Sequence, residues 1–201
     1  MFNLDELAWT IIDGTAVFLD IAQDRYFRLP DACNREFVAA QARRDLDFPV
    51  QPMCLPRPAT WTLPATVSPD IDHGPFRLGE IARAIWMQRR IERRLESRSF
   101  HSVINEVRHV VADRDYFELG SKGARVVRAF EQARLLRSTA DRCLPRSIAL
   151  ALCLAARQCR VHVVLGVKLA PFAAHCWVQD GGAVLNDSLE EVQRYSPILV
   201  V

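Results

Sequence analysis

A cysteine, a histidine and an aspartate in the last third of the chain have the residue types of a nucleophilic cysteine site. Cys143 opens the run CLPRSIALALCLAARQC, His175 lies in AHCWV, and Asp187 ends AVLND. A thiol attacks a carbonyl only as the thiolate, so it needs a lowered pKa, a base within reach and a group that orients the base. The three residues therefore predict covalent catalysis by a thiolate if the fold brings them together.

The helix that is predicted to begin at Cys143 would favour ionisation of its thiol. Pro145 suits the first turn of a helix, because N–H groups there have no partner within the helix and the missing N–H of proline costs nothing. The positive end of the helix dipole stabilises a thiolate, and Arg142 and Arg146 would add positive charge nearby.

A β-hairpin is predicted to bring the base next to its orienting carboxylate. Residues 180–182, Asp-Gly-Gly, suit a three-residue loop, which would set His175 directly opposite Asp187. Directly opposed residues have Cβ atoms ~5 Å apart, so the carboxylate could accept the imidazole N–H. A slip of one residue would place Asn186 opposite His175, and asparagine can also orient a histidine. The spacing favours Asp187 and leaves Asn186 as the alternative.

The alternative interpretation of these residues is structural. Unpaired cysteines are among the most buried residues. A histidine in a strand beside Trp177 often lies in the core with its hydrogen bonds satisfied. Spacing alone does not separate this interpretation from a catalytic one.

The other cysteines are interpreted as structural thiols of a cytoplasmic protein. The chain has six cysteines and no CxxC pair, and its start lacks the basic and apolar regions of a secretion signal. Cys153, Cys159 and Cys176 lie within helix or strand patterns. The spacing of Cys153, Cys159 and His162 is poor for zinc, so no metal or other bound cofactor is predicted.

The composition is typical of a globular protein with one average domain or two small ones. Half of the 201 residues are apolar and a quarter are charged, and no apolar run approaches the length of a membrane span. Neither a membrane span nor a nucleic-acid partner is predicted. Residues 1–75 hold six Arg and eleven acids, a net of −5, whereas residues 76–201 have a net of +7. The charge difference predicts two units, divided at residue 75.

The first unit is predicted to be a small sheet followed by one helix. The runs LAWTIID, AVFLDIA and RYFRL are strand-like, and PDACNREFVAAQAR follows as a helix. Seven of the eleven prolines lie between residues 49 and 75, so residues 46–75 are interpreted as linker or irregular structure.

The second unit is predicted to contain helices and then strands. Helical periodicity covers 78–95, 100–111 and 122–137, with Leu78 among the apolar residues of the first helix and arginines opposite. Those arginines indicate a solvated face, or alternatively a patch for an acidic partner. A buried helix, a β-rich run and the hairpin follow, so the fold class is α+β.

The last third of the chain resembles the C-terminal signature of the lasso-peptide biosynthesis B proteins, members of the transglutaminase-like cysteine protease superfamily. The features that carry the resemblance are the CLPRS helix start, a strand ending in LGV, the AHCWV strand and the VLND strand, over roughly residues 138–187. The resemblance implies a transglutaminase- or papain-like protease domain in which Cys143, His175 and Asp187 form the proteolytic triad.

The same resemblance implies a winged-helix-like leader-recognition unit at the start of the chain. The undivided B proteins begin with a PqqD-like element, in which a leader peptide adds as a strand beside the third strand. The segment AVFLDIAQDRYFRLP is similar to the second and third strands of that element. The implied docking edge consists of Arg25, Tyr26, Phe27, Arg28 and Leu29. The N–H of Phe27 is expected among its donors, and the later helices of the element would fall near the proline-rich 46–75.

The implied activity is removal of the leader from a lasso precursor. In the family this step works with an asparagine-synthetase-like cyclase and depends on ATP, although the chain contains no recognisable nucleotide motif. Two other functions stay open: a non-catalytic scaffold that presents the leader to the cyclase, and acyl transfer to an amine as in transglutaminases.

Overall fold

The computed structural model describes residues 6–43, 58, 61–67, 74–112, 119–136 and 142–201. In chain order the elements are β1 (Leu7–Ile12), β2 (Thr15–Asp20), β3 (Arg25–Arg28), α1 (Asp31–Arg43), β4 (Thr66–Val67), α2 (Leu78–Ser97), α3 (Phe100–Ala112), α4 (Ser121–Arg134), α5 (Cys143–Ala155), β5 (His162–Leu169), β6 (Phe172–Asp180), β7 (Ala183–Val184), α6 (Leu189–Val192) and β8 (Ser196–Val200). The fold is α+β, as the sequence predicts.

The N-terminal unit, β1–β3 with α1, has the predicted three strands and helix. The strands form an antiparallel sheet in the order β1-β2-β3. Asp13 and Gly14 both have positive φ, at 49° and 75°, which suits the two-residue turn between β1 and β2. The Asn34 side chain of α1 binds this turn through Ala16 N–H at 2.8 Å and the Gly14 carbonyl at 2.9 Å. The further helices expected of a winged-helix element fall largely outside the described residues.

The small sheet is covered on both faces. One face packs on α1, where the rings of Phe18 and Phe37 lie 5.2 Å apart. The other face contributes Leu19 to a core that also contains Ile148 and Leu165 of the C-terminal unit, which comprises α2–α6 and β4–β8. The two units therefore share one apolar core.

The C-terminal unit has a five-stranded sheet in the order β4-β7-β6-β5-β8. All its neighbouring strands are antiparallel except β4 and β7, which are parallel. Helix α5 packs against β6, and α2, α3 and α4 pack around α5. The long hairpin of β5 and β6 therefore lies directly beside the start of a buried helix.

The three helices predicted from periodicity are confirmed as α2, α3 and α4. Ile81 and Ile91 of α2 are buried, whereas Leu78, which belongs to the same apolar face, is 77 % exposed. Leu78 is the first residue of α2, where a helix end is only partly covered by its neighbours. On the arginine face, Arg94 contacts Glu106 of α3 at 2.6 Å and thus links two helices.

The proline-rich segment 46–75 lies largely outside the described residues. Its described part is not wholly irregular, because Thr66–Val67 pairs with β7 and Trp61 packs in a cluster with Trp177. Residues before 76 thus contribute to the C-terminal sheet, and a division of the chain at residue 75 stays a prediction. None of the described helices is long and apolar enough to cross a bilayer.

Candidate active site

Cys143 is the first residue of α5. Ten residues of this helix, from Pro145 to Ala155, are buried, so packing holds its first turn in place. The side chain of Arg142, which precedes the helix, does not cap it. The backbone N–H groups of Leu144 and Cys176 donate hydrogen bonds to the Cys143 sulfur. The sulfur therefore lies between the start of α5 and the middle of β6.

His175 lies on β6, opposite Gly166 of β5. A Cβ at Gly166 would come within 2.7 Å of the Trp177 ring and 2.9 Å of the Tyr195 Cβ. Both of those rings pack on the imidazole of His175, Tyr195 at 5.0 Å and Trp177 at 6.2 Å between centroids. The glycine therefore leaves room for the aromatic side chains that hold His175.

The hairpin that follows β6 has a different register from the predicted one. Asp180 pairs with Ala183 and Gln179 with Val184, so the loop contains only Gly181 and Gly182. Gly181 has φ of +52°, which glycine adopts without steric cost. The predicted three-residue loop, and the direct opposition of His175 and Asp187 that it implied, are therefore wrong.

His175 and Asp187 nevertheless contact each other. Strand β7 ends at Val184 and the chain bends over residues 185–187, which turns Asp187 toward β6. Its Oδ2 lies 2.8 Å from His175 Nε2, and its Oδ1 accepts the Ser188 N–H at 2.9 Å. The other imidazole nitrogen, Nδ1, is then available to the Cys143 thiol, with which His175 also hydrogen-bonds.

Asn186, the alternative partner of His175, points into the core instead. It is fully buried, accepts the Val178 N–H at 2.8 Å and donates to the Ser147 hydroxyl at 2.9 Å. Ser147 in turn donates to the carbonyl of Cys176 at 2.9 Å. This chain of hydrogen bonds joins α5 to β6 behind Cys143 and His175.

Arg146 completes the arrangement from the second turn of α5. Its guanidinium is buried, donates to the carbonyl of Asn186 and lies 3.6 Å from the Asp187 carboxylate. Burial lowers the pKa of Arg146, and the nearby carboxylate opposes this effect. Arg142, in contrast, faces Glu92 at 3.8 Å. From the sequence, Arg146 is expected only to add positive charge near Cys143. Its contacts with Asn186 and Asp187 and the role of Ser147 are not predicted, since a Ser and an Arg in the first turns of an apolar helix are the only signal.

The pKa values of Cys143 and His175 move in directions that suit proton transfer. Burial opposes ionisation of Cys143, but hydrogen bonds from His175 and from two backbone N–H groups outweigh it and lower the thiol pKa. Burial also disfavours a charged His175, but its hydrogen bonds with Asp187 and Cys143 raise its pKa to about 9. Both changes favour a negative sulfur beside a positive imidazole.

The remaining cysteines of the C-terminal unit are poor nucleophiles. Cys153, Cys159 and Cys176 are buried, and burial raises the pKa of each thiol. Within the part of the chain that the structure describes, no group of three or more His, Cys, Asp or Glu side chains is arranged to hold a metal.

The sequence-predicted docking residues form the edge of the N-terminal sheet. Strand β3 has β2 as its only strand neighbour among the described residues, and the Arg25 and Arg28 side chains are exposed. Leu29 directly follows the strand. Tyr26 and Phe27 point to opposite faces, since Tyr26 pairs with Leu19 and Phe27 with Phe18.

The open edge of β3 consists of the backbone groups of Tyr26 and Arg28. The Ile21 N–H donates to the Glu6 carbonyl at 2.9 Å, and hydrogen-bonding direction alternates along an antiparallel strand. Odd-numbered residues of β2 therefore bond to β1, and its even-numbered residues bond to Arg25 and Phe27. The expectation that the Phe27 N–H lies on the open edge is wrong.

Comparison with known proteins identifies a family and a relative that is similar over part of its length. The profile of the transglutaminase-like superfamily matches residues 80–200, which include all three residues of the site. The chain is similar to the microcin J25-processing protein McjB of Escherichia coli, with 46 % identity over 46 residues. That stretch covers 23 % of this chain and 22 % of the relative, so most of both proteins lies outside it.

No solved structure matches the chain significantly. The family match alone spans more than half of the chain and includes the helix, the two strands and the bend that hold Cys143, His175 and Asp187. The chain belongs to the transglutaminase-like superfamily.

Proposed function

We propose that the protein is a cysteine peptidase that removes the leader from a lasso-peptide precursor. The observation that carries the proposal is the convergence of Cys143, His175 and Asp187, with hydrogen bonds that lower the pKa of the thiol and raise that of the imidazole. The similarity to a microcin-processing protein supports a peptide substrate of this class.

The proposed reaction has two stages. The Cys143 thiolate attacks the scissile carbonyl, and the imidazolium of His175 gives its proton to the leaving amine, which leaves a thioester on Cys143. Water then attacks the thioester while His175 accepts its proton, which releases the leader as a carboxylate. Asp187 keeps the imidazole oriented and stabilises its charge in both stages. The N–H groups at the start of α5 suit the oxyanion that forms, since the first turn of a helix has unpaired donors.

Leader recognition is assigned in this proposal to the open edge of β3. An extended peptide can add to such an edge through the outward-facing backbone groups of Tyr26 and Arg28. A surface cavity of about 500 Å³ adjoins the end of the strand and is lined in part by Arg28, Leu29 and Asn34. The cavity offers room for a leader side chain beside the added strand.

The proposed partners are the precursor and an asparagine-synthetase-like cyclase. Leader removal exposes a new α-amine, which such a cyclase would join to an acidic side chain. The resemblance also implies that leader removal depends on ATP, although neither thiolate attack nor thioester hydrolysis consumes it. These assignments rest on the resemblance to the lasso-peptide B proteins.

Incubation of a leader-bearing precursor with the purified protein, followed by mass spectrometry, tests the proposal. The wild-type protein is expected to release the leader and Cys143→Ala to release none. Cys153→Ala is the matched control, because that thiol is buried and its pKa is raised. It is expected to keep near wild-type activity.

Other outcomes would contradict the proposal in distinguishable ways. An unchanged precursor that still binds would favour a scaffold, whereas an amine adduct of the precursor would favour acyl transfer. Equal losses in Cys143→Ala and Cys153→Ala would indicate that both thiols act only through packing.

A further inference from the structure

Tyr26 connects the N-terminal unit with the surroundings of Cys143. Its side chain lies on the face of β3 that is turned toward the C-terminal unit, next to Leu19 of the shared core. Its ring meets Phe172 edge-on at 5.6 Å between centroids. The N-terminal unit thus contacts the first residue of β6, the strand that carries His175.

The Tyr26 side chain also interacts electrostatically with Cys143. Tyr26 and Cys143 are both partly buried side chains packed against the same core. Burial raises the pKa of the Tyr26 hydroxyl, and electrostatic interactions with Cys176, Asp24 and Cys143 raise it further. A neutral, largely apolar ring therefore stands within electrostatic range of the thiolate.

Phe172 extends this aromatic surface into solvent. It precedes His175 by three residues on β6, a distance of about 10 Å along a strand. Its side chain is 51 % exposed although it is large and apolar. An exposed aromatic ring on the strand that carries His175 is a suitable contact for an apolar side chain of an extended peptide.

We infer that Tyr26 and Phe172 form an apolar subsite for a side chain on the leader side of the scissile bond. This inference rests on the proposed function and deepens it, because strand β3 would then have two roles. Its outward-facing backbone groups would bind a part of the leader that lies away from the cleaved bond. The Tyr26 side chain would contact the peptide next to that bond. Recognition and cleavage would thus share one strand.

The test uses short peptides that span the cleavage position and lack most of the leader. Each of three leader-side residues is changed in turn from Leu to Ser, and kcat and KM are measured separately. The wild-type protein is expected to prefer Leu at one of these positions by about 10-fold or more in kcat/KM. Tyr26→Ala and Phe172→Ala are expected to remove that preference by raising KM for the Leu peptide, with kcat nearly unchanged.

Two further variants separate an apolar contact from a structural effect. Tyr26→Phe keeps the ring and is expected to keep the preference. Trp86→Ala removes another exposed aromatic side chain, on α2, and is expected to behave as the wild type. Folding of each variant is checked by circular dichroism.

The inference is overturned if Tyr26→Ala and Phe172→Ala keep the wild-type preference, or if they lower kcat equally for Leu and Ser peptides. It is also overturned if no leader-side position shows a preference. Failure of the wild-type protein to cleave the full precursor would overturn the proposed function itself. Cleavage of the precursor without any effect of these variants would overturn the subsite alone.

Discussion

At the scale of single residues, the properties of the site depend on hydrogen bonds that outweigh burial. Burial alone would keep Cys143 protonated and His175 neutral. Donors to the sulfur and the carboxylate beside the imidazole reverse both tendencies. The proposed nucleophile therefore differs from the buried thiols of Cys153, Cys159 and Cys176 in its hydrogen-bonding neighbours as well as in its partial exposure.

The pH dependence of leader release is expected to follow these two groups. Activity should rise as Cys143 ionises below the ordinary thiol pKa of 9.0, and fall as His175 loses its proton at about pH 9. In Asp187→Ala the imidazole loses the hydrogen bond that raises its pKa, so the falling limb should move to lower pH. Profiles of kcat/KM from about pH 5 to pH 10 measure both limbs. A wild-type falling limb near 6.5, the ordinary value for histidine, would contradict the raised pKa.

Substitutions at the two neighbouring polar residues should have different consequences. Asp187→Ala is expected to lower kcat by about 10²- to 10⁴-fold, because the imidazole loses its orienting group. Asp187→Asn should be milder, since an amide oxygen can still accept the imidazole N–H. Asn186→Ala removes two buried hydrogen bonds and is expected to lower the free energy of unfolding by about 1–3 kcal/mol.

Rates of leader release and urea denaturation curves, both recorded for all three variants, separate these effects. If Asn186→Ala abolished turnover in a stable protein while Asp187→Ala left it unchanged, Asn186 would be the orienting residue. Because Arg146 lies 3.6 Å from Asp187, Asp187→Ala also leaves a buried cation without its carboxylate, and its folding needs the same check.

At the scale of elements, the site depends on three local features of backbone geometry. The first turn of α5 directs the Leu144 N–H at the sulfur, and Gly166 of β5 leaves room for the rings around His175. The bend after β7 turns Asp187 toward β6. Each feature belongs to a different segment, so none of them forms the site without the others.

The register of β3 leads to a specific test of leader docking. Arg28→Pro removes an outward-facing N–H and leaves the β2–β3 hydrogen bonds intact, since proline is tolerated on an edge strand. Leader affinity is expected to fall by about 10-fold, the equivalent of one hydrogen bond. Arg28→Ala keeps the N–H and serves as the control for the lost charge. Fluorescence anisotropy with a labelled leader measures both.

Equal leader affinity in Arg28→Pro and Arg28→Ala would show that the leader does not bind through the backbone of this edge. Phe27→Pro is not a suitable substitute, because the Phe27 N–H faces β2 and its loss would weaken the sheet itself. Cleavage of a short peptide by Arg28→Pro should be unchanged, which separates docking from catalysis.

At the scale of the whole molecule, the two units share one core. Leu19 of the N-terminal sheet is fully buried and belongs to the same cluster as residues of α5 and β5. The proposed docking edge and the candidate active site are consequently parts of one packed structure. We expect the chain to unfold cooperatively.

Leu19→Ala tests this cooperativity. Removal of a buried leucine side chain is expected to lower the free energy of unfolding by about 2–5 kcal/mol. Because the core is continuous, calorimetry should show one transition that moves as a whole to lower temperature. Two transitions, of which only one moved, would indicate that the N-terminal unit unfolds independently.

Local patterns in the sequence determined the elements and the identity of the residues that meet in the site. Periodicity predicts the helices and strands because burial follows the 3.6-residue and two-residue repeats, and CLPRS predicts a helix start because proline suits the first turn. The choice of Asp187 over Asn186 agrees with the contact to His175, although the argument for it used the wrong hairpin register.

The tertiary structure decided what depends on residues far apart in the chain. A one-residue difference in loop length moves every side chain of one strand to the other face of the hairpin. Two glycines allow either length, so the register followed from the packing of the strands. The hydrogen bonds of Arg146, Ser147 and Asn186 join α5 to the bend about 40 residues later, which no local pattern encodes. The contact of Tyr26 with Phe172 likewise exists only because the N-terminal sheet packs on the C-terminal unit.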